Sequence, residues 1–184
     1  LKKQLNESKP VLQEQFIRDL LYGKLNDEKD IRDRMKYIGI DFSGKLYSVL
    51  FLEIDNYDLH YSGISIEERQ LLLYRIQKCI KETLLCEMSG FVTNHQYNSL
   101  IVVILVPEES TDAFDSIIDM AHNCRNLVNS EVNTEITIGI SELSAHLKEL
   151  PRLFETAEYT VKSKFYSGGN RIILASEVKQ PEAG

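Results

Sequence analysis

Tyr159–Ile173, YTVKSKFYSGGNRII, runs from helical spacing into a glycine stop and out into a strand. Tyr159, Val161 and Phe165 continue an apolar series begun at Phe154 and Ala157, and Pro151 sits at a first-turn position, where a missing N–H costs nothing. Gly168-Gly169 ends that helix and Arg171-Ile172-Ile173-Leu174 reads as the last strand. The counterpart of this stretch lies a hundred residues upstream, at FLEIDNYD, Phe51–Asp58. There Tyr47–Ile54 is β-branched and aromatic with few polar breaks, as a central strand buried on both faces requires.

Between these two ends the periods alternate. Ser65 is a candidate N-cap for a long helix through Ile66, Leu73, Ile76, Ile80 and Leu84. Two strands, Glu87–Thr93 and Ser99–Val106, are joined by His95-Gln96-Tyr97-Asn98, a connection short enough to imply antiparallel pairing. Ser110 or Thr111 caps the next helix, through Phe114, Ile117, Ile118, Ala121, Leu127 and Val128, ending near Asn129–Ser130; Glu135–Ile140 is a further strand. The order strand, helix, strand, strand, helix, strand, helix, strand predicts an α+β domain over 45–178, with a mainly antiparallel five-stranded sheet covered by helices.

Residues 1–44 read as a helical hairpin outside that sheet. Pro10 is expected to open the first helix, Val11, Leu12, Phe16, Ile17, Leu20 and Leu21 form its apolar face, and Gly23 stops it. The second helix has Asn26 or Asp27 as N-cap, Ile31, Met35 and Ile38 on one face, and Gly39 at its end. Leu1, Leu5 and Leu12 have heptad-compatible spacing. A start at Leu1 without Met and a loop-like Lys179–Gly184 suggest a piece of a longer protein, with 179–184 opening a linker.

A net charge of −7 disfavours a nucleic-acid surface, since phosphate contacts need clustered Lys and Arg. The longest apolar run, Leu100–Val106, is too short to span a bilayer. Three cysteines, Cys79, Cys86 and Cys124, without a CxxC pair, read as reduced fillers of a cytoplasmic domain. His60, His95, His122 and His146 show no metal-ligand spacing and are expected at the surface; no Walker A, GxSxG or GxGxxG run is present.

Three segments resemble the GGDEF family of diguanylate cyclases: LEIDNYD resembles its first-strand end, TIGIS its Ser-x-Gly strand, and AEYTVKSKFYSGGNRII its helix-glycine-Asn signature. The resemblance runs from Lys45 to Leu174 and implies a nucleotide-cyclase-like (ferredoxin-like) fold. Active members hold two magnesium ions on carboxylates from the first strand and from the turn that names the family. Here Glu53 falls on the strand position, with Asp55 two residues on, but the turn reads Gln96-Tyr97-Asn98-Ser99-Leu100. Asn98 and Ser99 are neutral, Gln96 and Tyr97 replace glycines where a phosphate approaches the backbone, and Asp58 stands where the family has Lys. The expectation is a chain without cyclase activity, metal or cofactor. Glu53, Asp55 and Asn98 remain as candidate ligand-binding residues, the two acids being expected as solvated groups at the sheet rim.

The segment LNESKPVLQEQFIRDLLYGKLNDEKDIRDRMKYIGIDF, with Leu143–Val178, is similar to the region preceding the helix-turn-helix module in AraC-type, YesN-like bacterial regulators. That resemblance implies a regulatory and dimerisation domain that relays a signal from an upstream sensor or receiver, itself membrane-anchored in some members. It also implies a homodimer through Leu1–Gly23, and DNA contact only through a module following Gly184. The alternatives are a nucleotide or small-ligand receptor without turnover and, after it, a residual diguanylate cyclase acting through Glu53 and Asp55.

Overall fold

The computed structural model describes residues 2–179, with side chains from Ser8 onward. The Leu1–Leu5 part of the heptad series and the Gln180–Gly184 tail lie outside the described side chains. Two helices, α1 (Lys2–Leu21) and α2 (Glu28–Ile38), precede strand β1 (Lys45–Ile54), a short helix α3 (Tyr57–Tyr61) and the long α4 (Ile66–Glu82). Then come α5 (Leu84–Glu87), β2 (Ser89–Gln96), β3 (Ser99–Pro107) and α6 (Ala113–Leu127), which leaves through a π-turn at Val128–Val132. Strand β4 (Ile136–Ile140), α7 (Leu150–Lys162), the single-turn α8 (Lys164–Ser167) and β5 (Ile172–Leu174) complete the chain.

The five strands lie in the order β2-β3-β1-β4-β5. Central β1 is antiparallel to both β3 and β4, and β5 joins parallel to β4 after the α7 crossover. This is the α+β, mainly antiparallel architecture that the alternation of periods predicts. Period two divides the central strands between two cores. Leu50, Leu52 and Ile54 of β1 and Leu100, Val102 and Ile104 of β3 face Ile76 and Ile80 of α4 and Ile117 and Ala121 of α6. Tyr47, Val49, Phe51, Ile101 and Val103 face the other way, toward α1, α2 and α7.

The helical hairpin therefore lies outside the sheet yet shares its second core. Phe16, Ile17, Leu20 and Leu21 are all buried against β1 and α7. At about 1.5–3 kcal/mol for each fully buried large side chain, these four dominate the attachment of the hairpin. The ion pair of Lys148 with Glu28 is exposed and screened by water, so it adds little beside them. Of the apolar face expected to drive self-association, Val11 and Leu12 remain exposed among the described α1 residues.

Local signals explain most boundaries. Asp27 caps α2 by accepting from the Lys29 amide, Gly39 closes it in the left-handed region, and Ser65 and Glu68 form a reciprocal capping box on α4. Four expectations are corrected. Pro10 does not open α1 but lies inside it, on an exposed turn where one intrahelical hydrogen bond is forgone. Asp112, rather than Ser110 or Thr111, occupies the N-cap of α6, without a side-chain bond. The hairpin strands extend to Gln96, so the turn itself is Tyr97-Asn98. The last long helix stops at Lys162 rather than continuing through Phe165, and the reorientation into α8 leaves Phe165 86% exposed.

Gly139 sets the distance between α7 and the sheet. A Cβ there would fall 2.5 Å from the Ala157 carbonyl oxygen, so helix and strand meet backbone to backbone.

Candidate functional site

Glu53 and Asp55, two residues apart at the end of β1, emerge on the face that carries α7. They are not solvated rim carboxylates. Asp55 is buried, and its Oδ1 accepts from the Thr137 hydroxyl at 2.8 Å and from Lys164 Nζ at 3.1 Å. Its Oδ2 accepts from the Asn170 amide at 2.6 Å. Lys164 Nζ also donates to Glu53 Oε1, so one ammonium joins both acids, with the lysine and Asp55 side chains only 15% and 4% exposed.

The glycine loop after α8 makes this arrangement possible. Gly168 has φ +88° and Asn170 φ +55°, both in the left-handed region, which turns the Asn170 amide onto Asp55. A Cβ on Gly169 would lie 2.7 Å from Asp55 Oδ2, so only glycine lets the loop close on the carboxylate. The sequence signature that points to the fold is thus also the cradle of its buried acid. The Arg125 guanidinium fixes the loop from α6 by donating to the Asn170 carbonyl at 2.7 Å.

Asn98 arrives at the same strand end through its backbone. Its carbonyl accepts from the Ile54 amide at 2.9 Å, while its side chain bonds neither carboxylate among the described residues. Ser99 is buried and its hydroxyl accepts from the Gln96 amide at 3.2 Å, bracing the turn. Tyr97 at the tip packs against Tyr57, with ring centroids 5.0 Å apart, while the Arg69 guanidinium lies 5.9 Å from its centroid. The turn is therefore closed by an aromatic side chain held on the α3–α4 side.

Two magnesium ions do not fit these residues. The strand carboxylates share a lysine ammonium, the turn adds only neutral groups, and among the described residues no three His, Cys, Asp or Glu side chains gather as a metal site requires. Lys164 is the member that sequence reasoning missed. The period-two placement of Glu53 and Asp55 on one face was the available signal that a cation should lie opposite. Of the four histidines expected at the surface, His60, His122 and His146 are exposed, but His95 is half-buried.

Fold and site together define a nucleotide-cyclase-like domain. The chain belongs to the family described as GGDEF-like domain, whose model matches residues 22–163. Among solved structures it is similar to the active GGEEF domain of a diguanylate cyclase from Vibrio cholerae, at 14% identity and TM-score 0.58, covering 88% of this chain and 96% of that one. It is also similar to an EAL/GGDEF domain protein from M. capsulatus, at 13% identity and TM-score 0.53, covering 72% of this chain and 86% of the other. Comparison with curated protein sequences returned no match.

Proposed function

We propose that this domain is a non-catalytic regulatory module of an AraC-type bacterial regulator, relaying a signal from an upstream sensor or receiver to a helix-turn-helix module outside this sequence. The observation that carries the non-catalytic reading is the Lys164 ammonium bound to both Glu53 and Asp55. A magnesium-bridged triphosphate needs those oxygens for a dication, and a lysine carries only one charge in its place. Tyr97, packed on Tyr57, supports the same reading by closing the turn to a phosphate.

The relay reading draws on the resemblance of 5–42 and 143–178 to YesN-like regulators and on the anchoring of α1 in the second core. A helix that enters the body and shares its packing with α7 can bias two arrangements of the whole unit. Dimerisation in the longer protein would use Leu1–Gly23, where Val11 and Leu12 are exposed among the described residues.

Incubation with GTP and Mg²⁺ or Mn²⁺ tests the chemistry. No cyclic dinucleotide is expected, and product that vanishes in Glu53→Ala overturns the reading. The relay is tested by gel shift at low salt, where residues 1–184 should not retard DNA and the full-length protein should. A second reading, a ligand receptor without turnover, is favoured by a cleft of about 550 Å³ lined by Asp55, His60, Tyr61, Asn133, Thr134 and Glu135. Titration calorimetry with GTP and with cyclic di-GMP separates the two: heat of binding without product supports the receptor.

A further inference from the structure

His95 ends up where β1, β2, α7 and the exit of α1 converge. Three aromatic rings from three segments enclose its imidazole: Phe154 of α7 at 5.1 Å between centroids, and Phe51 of β1 and Tyr22, just past α1, each at 5.7 Å. Both ring nitrogens have partners. Nδ1 lies 2.8 Å from the Tyr22 hydroxyl and Nε2 lies 3.4 Å from Glu158 Oε2. A carboxylate only accepts, so the neutral ring carries its proton on Nε2 toward Glu158 and accepts the Tyr22 O–H at Nδ1. Phe51 and Phe154 bring no charge, and the remaining charged group that bears on the ring is Arg18 of α1.

We propose that this arrangement is a proton-operated latch: neutral His95 fastens the end of α1 to β2 and α7, and protonated His95 loosens it. The proposal concerns the α1 junction and does not depend on the domain lacking cyclase activity. Taking up a proton places a cation inside a box of aromatic rings with little water around it. Burial holds His95 below the ordinary histidine range, Arg18 works in the same direction, and Glu158 opposes both without cancelling them.

When α1 lifts, Tyr22 and Arg18 leave while Glu158 stays, so the exposed ring regains its ordinary proton affinity. The undocked arrangement therefore binds protons better than the docked one. The His95 contribution to docking is fully present above the ordinary histidine value near 6.5 and is lost as pH falls from there toward the lower docked value.

Hydrogen exchange on the intact chain tests the latch, comparing about pH 7.5 with about pH 5.5, either side of the ordinary histidine value. After correction for intrinsic rates, amides of Gln15–Leu21 should lose protection at the lower pH, by up to roughly tenfold, because about pH 5.5 lies about one pH unit below the undocked value. Amides of β3 should not change. His95→Gln, which keeps a polar ring-edge mimic but takes no proton, should flatten the α1 profile. An α1 profile that is flat in the wild type, or equally steep in His95→Gln, overturns the latch. Should that variant fail to fold, the His95 Cε1–H resonance of the wild type gives the midpoint directly. A midpoint below about 6.5 that moves lower still in Glu158→Gln supports the proposal, and one at or above that value overturns it.

Discussion

Two charge clusters flank the second face of the sheet, and they differ in the permanence of their cation. At Glu53, Asp55 and Lys164 the positive charge belongs to a lysine shared by two carboxylates. At Tyr22, His95 and Glu158 it belongs to a histidine and exists only when protons are abundant. The first cluster ties two carboxylates to a fixed part of the chain. The second makes a junction conditional. The same fold thus carries one ion pair that stabilises a buried acid and one polar contact poised to respond.

The largest effect should come from removing the fixed cation. Lys164→Met leaves Glu53 and a buried Asp55 facing each other, and breaking such a pair should cost about 3 kcal/mol in urea unfolding. A loss below about 1 kcal/mol would put this cluster with ordinary exposed ion pairs and erase the contrast. Thr137→Val keeps the shape but deprives the same carboxylate of a buried donor, at an expected cost of about 2 kcal/mol. Equal stability of the variant and the wild type would mean that Asp55 is held by Lys164 and Asn170 alone.

The conditional cluster should show itself in pH dependence. Because the folded His95 value is depressed, the unfolded chain binds its proton first as acidity rises, so stability falls as pH drops below about 6.5. The loss should reach about 1.4 kcal/mol for each pH unit that separates the unfolded from the folded value. His95→Gln should remove that slope. Glu28, held low by Lys148, and Asp41, held low by Ser43, lose their contributions only in the lower carboxylate range, so the window is separable. The smallest effect is expected from Tyr22→Phe, which deletes one half-exposed hydrogen bond while keeping the ring, at about 0.5–1 kcal/mol. A larger loss would make the hydroxyl, rather than the ring box, the element that holds α1.

Much of the fold was legible because its central strands are buried on both faces. Continuous runs such as Leu100–Val106 and Tyr47–Ile54 admit few other readings, and Asp27, Gly39 and Ser65 mark helix ends by side-chain chemistry that acts locally. Pro10 misled because its exclusion from helix interiors is energetic rather than absolute, and an exposed turn absorbs one lost bond. The site was half legible. Glu53 and Asp55 could be named from the strand end, but their partner Lys164 lies more than a hundred residues away and reaches them only after α7 breaks at Ser163 and re-forms as α8. His95 was misread for the same reason: the three rings that bury it come from Tyr22, Phe51 and Phe154, and no local spacing records their meeting.

Gly139 gives α7 a fulcrum. Where the helix crosses β4, the Ala157 carbonyl, Thr160 and Val161 lie against the bare backbone of Gly139, so the helix cannot be pushed closer there. Glu158 follows the pivot residue Ala157 directly, whereas Lys164 lies past the end of α7, beyond the break at Ser163. A tilt of this rod would swing the lysine through a wider arc than the glutamate, so slack at the α1 junction would be magnified at the carboxylates, as at the long arm of a balance.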